Sequence, residues 1–244
     1  MELQGRTALV TGAGHRVGRA LALALGARGM RVAVHYNATA AGAEETVRLI
    51  DAAGGAAASF PGDLTFPATP ERLVADVVAR FGGLDVLVNS AAVMHRTPFG
   101  TITAADWDAI LALNLRAPFL LAQAAAPHLR AGSGGVIVNI ADLAAFETWP
   151  AFVPHGVSKS GVVYLTRALA AVLAPSVRVV GIAPGTVLLP EGWSAADDER
   201  LRRTTPLQRH GSPDDVANTM LFLLDSEFIT GETVIVDGGR HVRR

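Results

Sequence analysis

"TGAGHRVG", residues 11–18, decides the fold. It follows "TALVT" (7–11), a short apolar, β-branched run, and leads into "VGRALALALGARG" (17–29), a stretch of helical length. Gly12, Gly14 and Gly18 permit a tight turn whose backbone N–H groups approach an anion closely, and the helix that begins here points its positive end at the same place. Between a buried strand and a helix, such a turn reads as the phosphate-binding element of a dinucleotide site, with His15, Arg16 and Val17 completing it.

Outward from this turn the same alternation repeats. The strand candidates are 7–11, 31–36, 56–60, 84–89, 135–140, 177–182 and 232–237; alanine-rich helical stretches lie at 17–29, 40–53, 69–81, 104–130 and 155–174. The first strand and the fourth to seventh are apolar on both faces, as strands of a covered parallel sheet are. The chain therefore reads as α/β: a single-domain Rossmann-type doubly wound parallel sheet of about seven strands with helices on both faces, spanning 1–244. "GSPDD" (211–215) supplies a helix start, with Ser212 as cap, Pro213 in the first turn and two carboxylates at the positive end. The long irregular region 184–211 reads as a substrate lid over 186–211 that includes Trp193, or as a surface insertion with a short helix.

Composition narrows the function. The 244 residues are 50% apolar and 18% charged with a net charge of −1, so no basic face for nucleic acid is expected. The absence of cysteine excludes disulfides and thiolate chemistry. The histidines show no paired ligand spacing, so no metal is expected. "MELQGRTALV" lacks a signal pattern, and the apolar run "ALALAL" (20–25) is far too short to span a bilayer. A soluble, cytoplasmic protein with a small-molecule substrate is expected.

The second strand ends "VAVHYNAT" with no acid at 35–39, where a carboxylate for the ribose hydroxyls of NAD belongs. Arg16, His35, Asn37 and Thr39 offer a cation and donors, and Tyr36 lies towards the adenosine end. The pattern favours NADP(H), whose 2′-phosphate needs such groups.

Several motifs together resemble the short-chain dehydrogenase/reductase family along nearly the whole chain. They are the glycine turn, Asp63-Leu64 in "GDL", Asn89-Ser90-Ala91 in "NSAA", Asn114 in "NLRAPF", "HGVSK" (155–159) at the place of the family's Tyr-x-x-x-Lys, Pro184-Gly185 with Val187 just beyond, and "ITGETVIVDGG" (229–239). Within the family the chain is similar to the pteridine-reductase branch. Arg16 stands for the second turn glycine, His35-Tyr36 closes the second strand, and Asp142, thirteen residues before 155, replaces a serine. Ala38 departs from the branch, which has arginine there. The resemblance implies NADPH-dependent hydride transfer to a conjugated C=N or C=O of a pterin-like or small carbonyl compound. It also implies a homotetramer built on 104–130, 155–174 and the last strand, with Lys159 binding the nicotinamide ribose and Asn114 positioning a relay water.

The family's proton-donating tyrosine is His155 here. Neither Tyr36, at the adenosine end, nor Tyr164, about half a turn away on the same helix, can replace it. Three readings stay open. His155 donates the proton with Asp142 beside it; Asp142 or a water donates while His155 only hydrogen-bonds; or the protein binds NADP with little or no turnover, as a sensor or structural paralogue. Asp142 also suits a cap after the fifth strand, and Asn114 a helix kink with its amide on backbone.

Overall fold

The computed structural model describes residues 1–132, 134–188 and 194–242. The elements run β1 (Thr7–Val10), α1 (Arg16–Ala27), β2 (Arg31–Tyr36), α2 (Ala40–Ala52), β3 (Ala56–Pro61), α3 (Thr69–Phe81), β4 (Val86–Asn89), α4 (Ala104–Leu111), α5 (Ala117–Ala131), β5 (Gly135–Ile140), α6 (Val153–Leu173), β6 (Val177–Pro184), α7 (Ala195–Thr204), α8 (Pro213–Asp225) and β7 (Thr233–Val236). One seven-stranded sheet has the order β3-β2-β1-β4-β5-β6-β7, and every pairing is parallel. The expected doubly wound fold is what the chain adopts.

Strand alternation sorts the core onto two faces. In β1, Ala8 and Val10 join the cluster beneath α1 and α8, while Leu9 joins the one beneath α3 and α5. In β5, Val136 and Val138 take the first face and Ile137 the second. Both faces are covered, which is why these strands read as continuous apolar runs. β7 is the exception: it is only half-buried, because it is an edge strand paired on one side to β6.

The chain winds outward from β1 in both directions, so a crevice opens between β1 and β4 at their carboxyl ends, the place where ligands enter such sheets. The turn after β1, the segments after β4 and β5 and the loop after β6 all end there.

The single helix expected at 104–130 is two helices joined by a π-turn, Ala112–Arg116, which contains Asn114. The combined stretch Ala104–Ala131 is long and apolar enough to cross a bilayer by length and composition, but half of it is buried against this protein's own core. The region 184–211 is not wholly irregular: α7 lies within it, opened by a capping box between Ser194 and Asp197. Trp193 falls outside the described residues. Ser212 caps α8 as expected, paired with Asp215.

Candidate active site

The glycine turn is shaped by close approach. Gly12 has φ 65°, and a Cβ on it would stand 3.0 Å from Ala91 Cα, so only glycine lets the turn lie against the segment after β4. Thr11 locks that segment in place, its Oγ1 accepting from the N–H groups of Ser90 at 2.9 Å and Ala91 at 3.0 Å. A Cβ on Gly18 would run into the Gly12 carbonyl. Arg16 takes φ 51°, a left-handed conformation usually left to glycine. Gly14 serves packing instead: a Cβ there would meet Thr39 Oγ1 of the α2 start at 2.8 Å. Arg19, which the sequence reading missed, fastens the same junction by donating to the carbonyls of Gly14 (2.6 Å) and Gly42 (3.1 Å).

His35 corrects an expectation. Expected as a donor to a cofactor phosphate, it does border the cleft, but it is only 2% exposed and both ring nitrogens are engaged by backbone. The Gly12 N–H donates to Nδ1 at 3.2 Å, and Nε2 donates to the Gly62 carbonyl at 2.9 Å. Burial is the main reason its pKa falls from 6.5 to about 4, against the opposing pull of the Gly62 bond and Asp63. The ring is therefore neutral at pH 7 and acts as a strut between the glycine turn, β2 and the loop that follows β3.

Two other expected cofactor residues spend their side chains within the protein. Asp63 Oδ1 accepts from Thr65 N–H (2.9 Å) and Thr65 Oγ1 (2.7 Å), fixing its own loop. Asn89 is buried and donates to Asn139 Oδ1 at 2.9 Å; Asn139 in turn donates to Thr166 Oγ1 at 2.9 Å, which ties β4, β5 and α6 together.

Two adjoining cavities occupy the crevice. One, of about 350 Å³, is lined by Gly12, His15–Gly18, His35–Thr39, Leu64 and Ser90–Val93. The other, of about 290 Å³, is lined by Asp142, His155, Lys159, Met94, Trp149, Pro184–Leu188 and the residues both share, Arg16, Val17, Ser90, Ala92 and Val93. The glycine turn stands at their junction.

Asp142 and His155 meet in the second cavity, with His155 Nε2 3.7 Å from Asp142 Oδ2. Asp142 does cap the short 3-10 turn after β5, as the plainer reading suggested, but only through Oδ1, which accepts from Ala144 N–H at 2.7 Å. Oδ2 is left for the cavity. Asn114 likewise bonds backbone: its Oδ1 accepts from Val93 N–H (2.9 Å), and its amide donates to Val93 O (2.9 Å) and Ser158 Oγ (3.1 Å).

Those bonds settle the ring of His155. Ser158 spends its hydrogen on the His155 carbonyl at 2.7 Å, so its oxygen must accept from Asn114. Both amide hydrogens of Asn114 are then used, and its 3.4 Å contact with His155 Nδ1 carries none. Nδ1 bears the hydrogen itself and donates to Val93 O at 3.2 Å. In the neutral ring, Nε2 is the lone-pair nitrogen, buried and without a hydrogen-bond partner. The π-turn, Val93 and Ser158 thus orient the imidazole; Asn114 and Ser158 lay within motifs the sequence singled out.

Lys159 lies one turn further along α6, buried, with Nζ donating to the Ile140 carbonyl at 2.8 Å. Burial lowers its pKa from 10.5 to about 8, with Asp142 opposing the shift. Tyr164 is 73% exposed on the opposite side of α6, and Tyr36 lines the first cavity.

Comparison with known proteins agrees with this architecture. A family model described as enoyl-(acyl carrier protein) reductase matches residues 12–241. A 3beta-hydroxysteroid dehydrogenase 1 of Eggerthella lenta is 35% identical, over 98% of this chain and 94% of its own. A D-threitol dehydrogenase of Mycolicibacterium smegmatis is 36% identical, over 99% and 95%. A 3-oxoacyl-(acyl-carrier-protein) reductase of Synechocystis is 34% identical, over 97% of each. A crystal structure described as a short-chain alcohol dehydrogenase from Sinorhizobium meliloti superposes with a TM-score of 0.93 at 35% identity, covering 100% of this chain and 99% of the other. The chain belongs to the short-chain dehydrogenase/reductase family, a family of nicotinamide-dependent oxidoreductases. The turn fits such a cofactor, since its glycines bring backbone to the helix end where any Cβ would obstruct it. The names of these relatives span a steroid, a sugar alcohol and an acyl thioester carrier, so kinship alone does not choose a substrate.

Proposed function

We propose that this protein is an NADP(H)-dependent reductase of a small C=N or C=O compound, pterin-like or carbonyl, in which His155 replaces the family's phenol as the proton-transfer group. The observation that carries this reading is the convergence of His155 Nε2, Asp142 Oδ2 and Lys159 in one cavity beside the glycine turn. The cofactor supplies a hydride when bound. Gly12, Val17, Gly18, Ser90, Ala91, Pro184, Gly185 and Val187 shape its cleft, and Lys159 holds the ribose end. With His35 neutral, Arg16 is the cation left for a 2′-phosphate, supported by Asn37 and Thr39.

Nε2 of neutral His155 accepts a proton from an alcohol in the oxidative direction. Reduction of a carbonyl requires the imidazolium as proton donor. That requirement favours one second reading, a protein that binds NADP with little carbonyl turnover. Resemblance to the pteridine-reductase branch rests on Arg16, His35-Tyr36 and Asp142. The stretch 186–211 acts as the substrate lid in this reading, with Val187 and Leu188 already on the cavity wall. Assembly as a homo-oligomer is part of the same proposal, supported by the apolar groove along α4, α5 and α6 with exposed Phe119 and Tyr164.

Turnover and binding test this together. NADPH consumption with dihydropterins and a carbonyl panel should be measurable, and His155→Ala should slow it and change its pH profile. An unchanged rate and profile would refute the role of His155. Arg16→Ala should weaken NADPH binding and leave NADH binding alone; equal losses would reject the phosphate contact.

A further inference from the structure

Trp149 stands where the cavity of Asp142, His155 and Lys159 meets the segment that follows β7. It belongs to 146–152, an irregular stretch between the 3-10 turn after β5 and α6, so no helix or strand sets the direction of its indole. The residue lines the cavity. Its Nε1 donates to Glu147 Oε2 at 3.1 Å, and its ring meets Phe152 edge-on with centroids 6.2 Å apart. The stretch is tied to the loop after β4 by the Thr97 N–H, which donates to Ala151 O at 2.7 Å. The indole is therefore held from behind, by groups that are not on the cavity wall.

A further anchor comes from beyond β7. Glu147 Oε2, the oxygen that takes the indole hydrogen, also faces Arg240 Nε at 3.7 Å. Both side chains are mostly buried, Arg240 19% and Glu147 17% exposed, so little solvent screens the pair. Arg240 opens the 3-10 turn Arg240–Val242, and Asp237 fixes that turn. Asp237 Oδ1 accepts from the Gly239 N–H at 2.8 Å, and Oδ2 accepts from the His241 N–H at 2.7 Å and from His241 Nδ1 at 2.8 Å. Gly185, on the cavity wall, donates to Val236 O at 2.9 Å, which seats the whole segment beside the cavity.

We propose that Trp149 is the size-selecting wall of the substrate cavity and that Arg240, acting through Glu147, is the positioning residue that holds it there. The proposal rests on the reading of this cavity as the substrate site. Met94, Val187 and Leu188 share the apolar part of the lining with Trp149, so bulk rather than polarity decides what fits against it. Removing the guanidinium takes a cation from a mostly buried carboxylate, which then turns towards water and releases the indole. Replacing the indole by a methyl group opens room for the four carbons by which 2-decalone exceeds cyclohexanone, and burying four carbons raises affinity by roughly tenfold or more.

Two measurements test this. Trp107→Phe combined with Trp193→Phe leaves Trp149 as the one tryptophan of the original three. In that protein Arg240→Met should raise the acrylamide quenching constant of Trp149 at least twofold, and Arg240→Lys, which keeps the charge, should leave it near the parent value. Glu147→Gln takes the place of Arg240→Met if that variant does not fold. Ligand-observed NMR then gives the affinities of cyclohexanone and 2-decalone whether or not they react. Trp149→Ala should move the affinity ratio at least tenfold towards 2-decalone, and Arg240→Met at least threefold in the same direction. An unchanged quenching constant in Arg240→Met overturns the positioning role, and an unchanged ratio in Trp149→Ala overturns the size-selecting wall; either leaves hydride transfer standing. A shifted ratio with no NADPH oxidation on either ketone supports the wall and overturns the hydride-transfer reading instead.

Discussion

His35→Leu removes the strut that joins the glycine turn to the loop after β3, and its effect on stability has a defined pH dependence. The folded pKa of His35 is about 4, below the ordinary 6.5. Between those values the unfolded chain binds a proton that the folded chain refuses. The stability from the buried neutral ring is therefore full above about pH 6.5 and is lost as pH falls towards 4. The slope approaches ~1.4 kcal/mol per pH unit, and the whole effect is about 3 kcal/mol. Urea unfolding of parent and variant at pH 7 and pH 5 isolates it: the parent should lose about 2 kcal/mol more than His35→Leu across that interval. The variant also leaves the Gly12 N–H without its acceptor. An unpaired buried donor costs about 1–3 kcal/mol, so NADPH affinity should fall roughly tenfold while kcat at saturating cofactor holds within about twofold. Parallel stability curves, with NADPH affinity unchanged, would show that His35 holds nothing in place.

Lys159 offers an opposite trade. Its folded pKa is lowered from 10.5 to about 8, so holding it charged costs stability at pH 7, and that cost disappears only as pH rises towards 10.5. Lys159→Met should leave the melting temperature unchanged or raised while NADPH affinity falls at least tenfold; a fall of more than about 5 °C refutes the burial cost. Turnover in the parent should decline above about pH 8 as the ammonium is lost, and Asp142→Asn should move that limb to lower pH, since Asp142 holds the value up. A limb that stays fixed or moves upward removes Asp142 as the coupled anion. Asn139→Leu breaks the buried chain from Asn89 to Thr166 and orphans both partners. It should cost about 2–4 kcal/mol, a drop of roughly 5–12 °C seen by calorimetry, and a drop under about 2 °C denies the chain its structural role. Light scattering should give a multiple of the 25.4 kDa chain mass, reduced by Tyr164→Glu on the exposed groove; a monomeric parent rejects the assembly.

Local sequence made much of the site legible because short-range patterns specify it. The glycine turn needs small residues at fixed spacing, and Gly12 and Gly18 stand where any side chain would collide. His155 and Lys159 lie four apart on α6, so helical periodicity alone places them on one face. Asp142 was found by its distance from 155, and it does arrive beside His155. His35, Asp63 and Asn89 were placed at the cofactor because they border the right motifs. Sequence does not say which way a polar side chain turns, and each found a backbone or side-chain partner inside the protein first. Arg19 and the backbone of Val93 carried no motif at all.

The residues by themselves determined the parallel sheet, the glycine turn and the presence of an imidazole four residues before Lys159, since these follow from periodicity, small side chains and identity. Only the folded chain decided the hydrogen on His155. That choice passes through Ser158, Asn114 and Val93, which come from α6, the π-turn and the loop after β4. A hydrogen-bond inventory shared among three distant segments exists only once packing has brought them together.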